Sequence, residues 1–373
     1  MEFYLGIAFI LFIYATTSID SIFSNVKILR LFNKFLFIFF GFFLICLGGF
    51  RWLTGSDWNA YYPYFNDLNT WKEFNNGTFE ITYTLLNFIV KCFSSKFTSF
   101  LIVLAFLCVS LKMKLINKIS SYPAVCLFLY YCYCVADIFA VRQSLAISIL
   151  MYSILFIRNK DKTRFILLTL LATSIHNTSI IWLVTYKLYW RHIKETKIFL
   201  IFSFCFVIGL ISGKFYAFVI PIITAPFSSK FRVVGKLLVY ATGYASSDFS
   251  VSTVFSLIKR MLFLPIFLSV HNKIPQNKTY EGLFNIWMIG TCIYLLFSNS
   301  LNVFQRMTTP FILVEFLLLP YVLKVEKKSY LKPILYFFIC GYAISKLINA
   351  LNVYPDLYIP YYSIFYYEPR VMY

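Results

Sequence analysis

The chain has 373 residues, of which 60% are hydrophobic and only 13% are charged, and its formal net charge is +19. A soluble globular domain carries about 25% charged residues, so the composition excludes an ordinary soluble protein. The positive charge does not indicate nucleic-acid binding, because the Lys and Arg residues lie in short clusters between apolar runs. Clusters of this kind are typical of the cytoplasmic loops of membrane proteins.

The apolar runs predict an all-α, polytopic integral membrane protein with about 12 transmembrane helices, since about 20 apolar residues cross a bilayer. Basic clusters mark the cytoplasmic ends and leave the N-terminus outside. The predicted full spans are 3–19, 35–50, 97–111, 122–138, 140–157, 198–212, 254–270, 282–299, 302–323 and 332–351. They form one transmembrane domain, 1–373, with outer-face segments at about 51–96, 213–252 and 352–373.

The apolar run 79–93 is interpreted as an amphipathic helix on the outer surface rather than as a span. Lys112, Lys114 and Lys118 are interpreted as cytoplasmic, which allows one crossing, or three, before them. The run 97–111 is the cleaner crossing, so 79–93 is left at the surface.

The stretch 165–190 is too short for two full spans, yet both of its ends are basic. This pattern predicts a hairpin of two short helices that turns at residues 174–177, within the outer half of the membrane. Irregular backbone at that depth is tolerated where protein or a watery cavity covers it.

The nine cysteines do not indicate a disulfide framework, because most lie inside apolar runs. Cys132 and Cys134 have C-x-C spacing, but no second pair or nearby histidine completes a metal site. We therefore interpret the cysteines as small core residues and predict neither a metal nor a cofactor.

Charged and polar residues from distant parts of the chain converge on one outer layer of the predicted topology. A charge inside a span costs about 2.5–3.5 kcal/mol on insertion scales, so each needs an explanation. The residues are Arg51, Asp57, Glu80, Asp137, Arg142, His176, Lys259, Arg260 and Arg306.

Simpler interpretations exist for several of these residues. Arg51 and Arg306 are also compatible with snorkelling at span ends. Asp137 is also compatible with an ion pair to Arg142, and His176 with a position in the protein core. Collectively, however, positive charge accumulates on the outer side, against the positive-inside tendency. An anionic partner explains this excess, and the arginine fork suits phosphate.

The first outer segment is rich in aromatic residues, whose planes suit the apolar faces of a sugar ring. These residues are Trp52, Trp58, Tyr61, Tyr62, Tyr64 and Trp71. Together with an anion reached from the lipid, they favour a phosphorylated lipid carrier bearing a sugar.

The sequence resembles the EpsG-type family of Wzy-like polysaccharide polymerases over about residues 1–350. The order and spacing of the motifs carry the resemblance, since no single motif is highly specific, and the region 213–252 matches no pattern. The motifs are GFRWLTGSDWNAYYPYF (49–65), FE (79–80), VRQSLAISILMYSILF (141–156), FILLTLLATSIHNTSIIWL (165–183) and RMTTPFILVEFLLLP (306–320).

The resemblance implies a membrane-embedded glycosyltransferase that joins oligosaccharide repeat units carried on undecaprenyl pyrophosphate into O-antigen or a related surface polysaccharide. It implies a bacterial inner membrane, with the active site facing the periplasm or exterior. The implied partners are the lipid-linked donor and acceptor and membrane lipid, a chain-length regulator is a candidate partner, and nucleic acid is not expected.

A pyrophosphate leaving group needs stabilisation of developing negative charge. Arg142, Arg260 and Arg306 are the predicted clamp, and Arg51 and Lys259 are further substrate-binding candidates.

The acceptor hydroxyl needs a base or an orienting acceptor. His176 and Asp57 are the first candidates, with Glu80 and Asp137 behind them. His176 is equally compatible with pyrophosphate binding.

Three other functions remain open at this stage. An O-antigen ligase uses the same donor but transfers it to the lipid A core. A lipid-linked oligosaccharide flippase or other transporter does no chemistry, and the inverted repeats common in transporters are not detectable here. A membrane O-acetyltransferase is the third alternative, although that class typically has more basic cytoplasmic motifs.

Overall fold

The computed structural model describes residues 1–23, 27–56, 58–68, 79–224, 251–274, 277–297, 307–326 and 330–366. In this part of the chain the regular structure is helical, in agreement with the predicted all-α class. The helices are α1 (Glu2–Phe23), α2 (Lys27–Gly49), α3 (Trp58–Asp67), α4 (Ile81–Phe93), α5 (Phe97–Ile119), α6 (Pro123–Phe139), α7 (Arg142–Arg158), α8 (Lys162–Thr173), a 3-10 helix (Asn177–Leu183), α9 (Val184–Leu188), α10 (Glu195–Thr224), α11 (Val251–Met261), α12 (Leu264–Lys273), α13 (Lys278–Leu296), α14 (Thr309–Leu313), α15 (Glu315–Val325), α16 (Leu331–Val353) and α17 (Pro355–Tyr358).

Four helices among the described residues are long and apolar enough to cross a membrane. They are Glu2–Ile19 within α1, and the whole of α2, α5 and α16. Helices α6 and α7 have 17 residues each and are about 25 Å long, slightly less than a bilayer core. The number of spans, about 12 in the sequence-based prediction, therefore stays a prediction.

Exposed apolar side chains identify the faces that contact lipid. On α2 they include Phe35, Phe39 and Phe42, and on α16 they include Ile334 and Phe337. Each of these five side chains is at least half exposed. Such stripes of exposed Phe and Ile would be unfavourable in water, whereas lipid tails are an equally apolar solvent.

The chain forms two compact units, the first from Met1–Tyr186 with Phe316–Tyr373 and the second from Lys187–Glu315. In the first unit α5 is central, because it packs against α2, α6 and α7. The α2–α5 contact depends on Gly49, where a Cβ atom would lie 2.9 Å from the side chain of Ile102. Small residues of this kind let membrane helices approach closely.

Helix α4 has the length and pattern of a surface helix. Its 13 residues span about 20 Å, too short for a bilayer, which agrees with the interpretation of 79–93 as a segment that does not cross. Ile81, Leu85, Ile89 and Phe93 recur every four residues and are exposed, so they form one apolar stripe. The opposite face is buried.

The predicted hairpin over 165–190 is present. Helix α8 ends at Thr173, the chain turns at 174–176, and the 3-10 helix then packs back against α8. Trp182 fastens the return segment, since its Nε1 donates to Ser153 Oγ of α7 at 3.0 Å. The helices are short because the chain reverses after only 12 residues of α8.

Lys112 lies inside a helix and not in a loop, and its placement on the cytoplasmic side stays a prediction. Helix α5 continues to Ile119, beyond the predicted end of its span at 111, and Lys112 is completely buried inside the helix packing. Lys114 and Lys118 are exposed, as expected for residues at the end of a span. A buried carboxylate on α6 explains why the helix tolerates Lys112 in its interior.

The second unit is built around α13, which packs against α10, α11, α12 and α14. The sequence predicts one span over 254–270, but the chain breaks there into α11 and α12, with Leu262 and Phe263 between them. Within this unit the indole of Trp287 donates to Glu315 at 2.9 Å, which satisfies a buried carboxylate.

Candidate functional site

A half-buried ion pair joins Glu80 to Arg142 in the first unit. Glu80 directly precedes α4, and Arg142 is the first residue of α7. Their side chains are 16% and 24% exposed, so each is sheltered but can be reached from outside. Among the described residues, Nε of Arg142 is enclosed and has no hydrogen-bond partner, so the part of the guanidinium that a ligand can reach is its remaining exposed surface.

Aromatic rings line the guanidinium of Arg142. Its Cζ lies 4.9 Å from the centre of the Phe79 ring, within the range of a cation–π contact. Tyr61 of α3 forms a hydrogen bond with Arg142 and packs 5.4 Å from Phe79. Tyr64 completes this wall, since its ring lies edge-on to Phe79 at 4.6 Å.

His176 lies at the same place because α4 and the hairpin turn are fastened together. The hydroxyls of Thr82 and Ser174 are 2.7 Å apart, and the backbone N–H of Thr82 donates to the carbonyl of Ser174 at 3.1 Å. The half-buried imidazole is near enough for the charges of Arg142 and Glu80 to act on it. We call Glu80, Arg142, His176 and their aromatic wall the Arg142 site.

The orientation of His176 leaves one ring nitrogen available. Its Nδ1 is 2.7 Å from the Thr178 hydroxyl, and either atom can be the donor. When Nδ1 donates, Nε2 carries the lone pair and can accept a proton. The site therefore holds a fixed cation, a carboxylate that orients it, and an imidazole suited to proton transfer.

A second group of aromatic rings lies on the other side of α3. Trp58 stacks on Tyr62 with ring centres 6.0 Å apart, and Trp52 contacts both rings edge-on. Phe97, the first residue of α5, contacts Trp58 at 5.3 Å. The aromatic residues of the first outer segment are thus packed together, so much of their surface serves the protein core.

Asp137 forms an ion pair with Lys112, not with Arg142. Both side chains are buried, and the ammonium group also lies 5.2 Å from the ring of Tyr130. Cys134, just before this position, departs from helical geometry, with φ −116° and ψ 17°. The simpler interpretation weighed above, an Asp137–Arg142 pair, is therefore wrong, and each residue has a different partner.

Arg51 is 2% exposed and is surrounded by protein. It donates from Nη1 to the carbonyl of Ile138 at 3.0 Å and lies over the ring of Phe139. Burial lowers the pKa of Arg51 to about 10, which still leaves it charged at neutral pH. Its environment is that of a structural residue that holds the segment after α2 against the end of α6.

The C-terminal segment completes this packing around Arg51. The backbone of Arg51 bridges to Ser363, and Trp52 donates its N–H to the carbonyl of Tyr362 at 2.9 Å. The hydroxyl of Tyr361 donates to the carbonyl of Leu47 at 2.8 Å. The predicted outer tail therefore packs on the first outer segment.

Lys259 and Arg260 are in the last turn of α11, in the second unit. Lys259 is exposed, whereas Arg260 is half-buried with its guanidinium carbon 4.2 Å from the ring centre of Tyr294. Asp57 and Arg306 lie outside the described residues. Their predicted roles stay predictions.

Two contributors to the Arg142 environment escaped the sequence analysis as site residues. Phe79 was noted only as the neighbour of Glu80, and Tyr61 only as one of many aromatic residues. Nothing in a single sequence distinguishes the tyrosine beside an arginine from the other aromatic residues of that segment. The lysine at 112 did give a signal, because it interrupts an otherwise apolar helix.

The comparisons with known proteins give one family. The model of the EpsG family matches residues 34–363, which confirms the family inferred from the order of the motifs. No curated protein matches the chain, and no solved structure matches it. The match includes every residue of the Arg142 site.

Proposed function

The chain belongs to the EpsG family, and from this premise we propose that it polymerises oligosaccharide repeat units carried on undecaprenyl pyrophosphate. Family membership and the apolar helices make it a membrane protein of polysaccharide biosynthesis with a polymerase-like activity. The lipid carrier, the outer face of the bacterial inner membrane and a product such as O-antigen belong to the proposal.

The observation that carries the proposal is the arrangement of Arg142. Its guanidinium is half-buried, it is oriented by Glu80, and 24% of the Arg142 side chain stays exposed. Arg142 also begins α7, and the N-terminus of a helix favours anions. A pyrophosphate oxygen placed there would gain both interactions, and the loss of bulk water strengthens them.

The reaction needs one bond to break and one to form. The anomeric carbon of the donor chain loses its bond to the pyrophosphate oxygen and gains a bond to a hydroxyl oxygen of the acceptor sugar. Arg142 stabilises the charge that develops on the leaving pyrophosphate. His176 Nε2 accepts the proton of the acceptor hydroxyl in the tautomer in which Nδ1 donates to Thr178.

The other predicted residues have different roles in the proposal. Lys259, Arg260 and Arg306 keep their predicted role as substrate-binding residues, and Asp57 keeps its role as a second candidate base. Arg51 and Asp137 are proposed as structural, since one is surrounded by protein and the other pairs with Lys112. Glu80 is proposed as the residue that positions Arg142.

The test is deletion of the gene in its host, followed by gel separation of the surface polysaccharide. We expect the ladder of chain lengths to collapse to a single-repeat band, to return with the wild-type gene, and not to return with Arg142→Ala. Arg164→Ala is the matched control, because Arg164 is exposed and pairs with Asp161 on the surface. An unchanged ladder after deletion would refute the proposal.

Two other outcomes identify the rival functions. Complete loss of the surface polysaccharide would indicate a ligase, because a ligase is needed even for a single repeat. For a transporter, the purified protein would move the lipid-linked repeat across vesicles without forming a glycosidic bond. Mass analysis of lipid-linked products from a purified reaction separates this case from polymerisation.

A further inference from the structure

The second unit contains a cluster of His192, His271 and Glu281 that has no role in the proposed reaction. Their ligand atoms all lie within 4.8 Å of one another. His192 Nδ1 and Glu281 Oε1 are 2.8 Å apart, and the two imidazole rings are nearly parallel, with centres 5.3 Å apart. The three residues come from the segment before α10, from α12 and from the first turn of α13.

His271 is the second observation that points to a ligand. It is 5% exposed, and within the described residues neither of its ring nitrogens has a hydrogen-bond partner. A buried polar group without a partner is costly. Here the unpartnered imidazole lies against His192 and within reach of a carboxylate, so a cation between the three would give one of its two ring nitrogens a partner.

The backbone that carries these residues is firmly held. Asn285 is buried and donates from its side-chain amide to the carbonyls of Leu188 and Arg191, at 2.8 and 2.7 Å, directly before His192. Gly282, next to Glu281, gives room to the ring of Tyr189, which a Cβ atom would approach to 2.3 Å.

The position of α12 is held in the same way. The hydroxyl of Tyr280 donates to the carbonyl of Phe267 at 2.6 Å, which fixes α12 against α13. The backbone segments that carry the three residues are thus fixed to one another by hydrogen bonds.

We propose that His192, His271 and Glu281 bind a divalent transition-metal ion of the Zn²⁺ class. Two imidazoles and one carboxylate are a known ligand set for Zn²⁺, which leaves a fourth position for water. Tetrahedral coordination with bonds of about 2.1 Å separates ligand atoms by about 3.4 Å, so small side-chain movements suffice. Mg²⁺ and Ca²⁺ prefer oxygen ligands and fit this set poorly.

The ion would tie the segment before α10 to α12 and α13. The charge pattern predicts that the basic stretch 187–197 is cytoplasmic, whereas the proposed sugar transfer takes place outside. The site is therefore structural, and it departs from the sequence-based expectation of no metal. The spacing of the ligands alone could not predict this metal site, because His192 and His271 lie 79 positions apart in the sequence.

The test uses the full-length protein purified in detergent and titrated with Zn²⁺ against a chromophoric chelator. We expect a single equivalent to bind, and His192→Gln and His271→Gln to weaken binding by at least about tenfold. His176→Gln is the matched control, because it changes the third histidine of the chain, outside the cluster. His192 is exposed, so its variant should fold even if the buried His271 variant does not.

Two further measurements make the result specific. Zn²⁺ should raise the unfolding temperature of the wild type but not of His192→Gln, since a ligand that binds only the folded state stabilises it. Co²⁺ should give a spectrum without a thiolate charge-transfer band, which excludes the nine cysteines as ligands. Absence of stoichiometric binding, or equal binding by His192→Gln, would overturn the proposal and leave an ordinary His–Glu hydrogen bond.

Discussion

Two ion pairs of the first unit differ in what they leave available. In the Lys112–Asp137 pair the ammonium is completely enclosed between α5 and α6 and faces the ring of Tyr130. In the Glu80–Arg142 pair both side chains remain partly exposed, and an imidazole lies beside them. Both pairs join residues that are distant in sequence, and the predicted topology places Asp137 and Arg142 in the same outer layer.

This difference distinguishes an ion pair that stabilises the helix packing from one that can take part in a reaction. A fully buried pair pays for desolvation with its own attraction, so it can fix a helix packing but has no path to a substrate. A half-buried arginine that stays partly exposed can exchange part of its pairing for a phosphate. Burial, rather than charge at a given depth, therefore distinguishes the candidates.

The largest expected effect is on stability, from Lys112→Met. The substitution leaves Asp137 buried without its cation, at a cost of about 3–5 kcal/mol. We expect little folded protein in membranes and a much lower unfolding temperature in detergent. Lys114→Met, on the exposed side of the same helix, is the control and should behave as the wild type.

The double variant Lys112→Met with Asp137→Leu sharpens this result. Replacement of both charges by apolar side chains removes the uncompensated carboxylate, so most of the lost stability should return. If the single variant were as stable as the wild type, the pair would have no structural role. If only the double variant folded but made no polymer, Asp137 would regain its place among the functional candidates.

The next largest effect is on turnover, from His176→Gln. Loss of a general base lowers the rate by about 100-fold or more, while a half-buried position should tolerate the change without loss of folded protein. The measurement is the rate of polymer formation by purified protein from a lipid-linked repeat. Asn177→Ala, at the exposed neighbouring position, is the control, and an unchanged rate would make His176 a packing residue.

Some helices follow closely from the sequence, because apolar runs decide them, whereas α5 extends beyond its predicted end and the predicted span 254–270 is broken. The runs 122–138 and 332–351 correspond to α6 and α16 with differences of one or two residues at each end. The turn at 174–177 was predictable because basic clusters at both ends of a short stretch require the chain to return. The burial of Lys112 was not predictable, since a charge near the end of an apolar run can belong to a loop or to a buried pair, and only the partner decides.

The site was predictable only in part, for a related reason. Residue type and motif order were enough to name Arg142, Glu80 and His176 as candidates. They did not show that these three residues lie together, or that Arg51 is enclosed by Ile138 and Phe139. That distinction depends on how α4, α7 and the hairpin pack. The charge pattern of a sequence does not indicate which side chains become partners when they are about 30 to 90 residues apart.

A smaller effect is expected from Thr82→Val, which loosens the connection between the two halves of the Arg142 site. The variant loses the hydroxyl contact with Ser174 and keeps the backbone hydrogen bond, so the cost should be about 1 kcal/mol. We expect normal protein levels and polymerisation reduced several-fold. Thr82→Ser retains the hydroxyl and should restore the rate, and if Thr82→Val matched the wild type, this contact would not position His176.

The smallest effect is expected at a third ion pair, Asp161–Arg164, which calibrates the other two. The guanidinium is 70% exposed, so Arg164→Ala should change the free energy of unfolding by less than about 0.5 kcal/mol and leave the polysaccharide ladder intact. Asp161→Ala should cost more, about 1 kcal/mol, because this carboxylate caps α8 by accepting from the backbone N–H of Arg164 at 3.0 Å. Thermal unfolding of the two variants separates these contributions. Equal losses from both would mean that even an exposed pair contributes through its charge, and the division between structural and available charges would then need a different basis from burial.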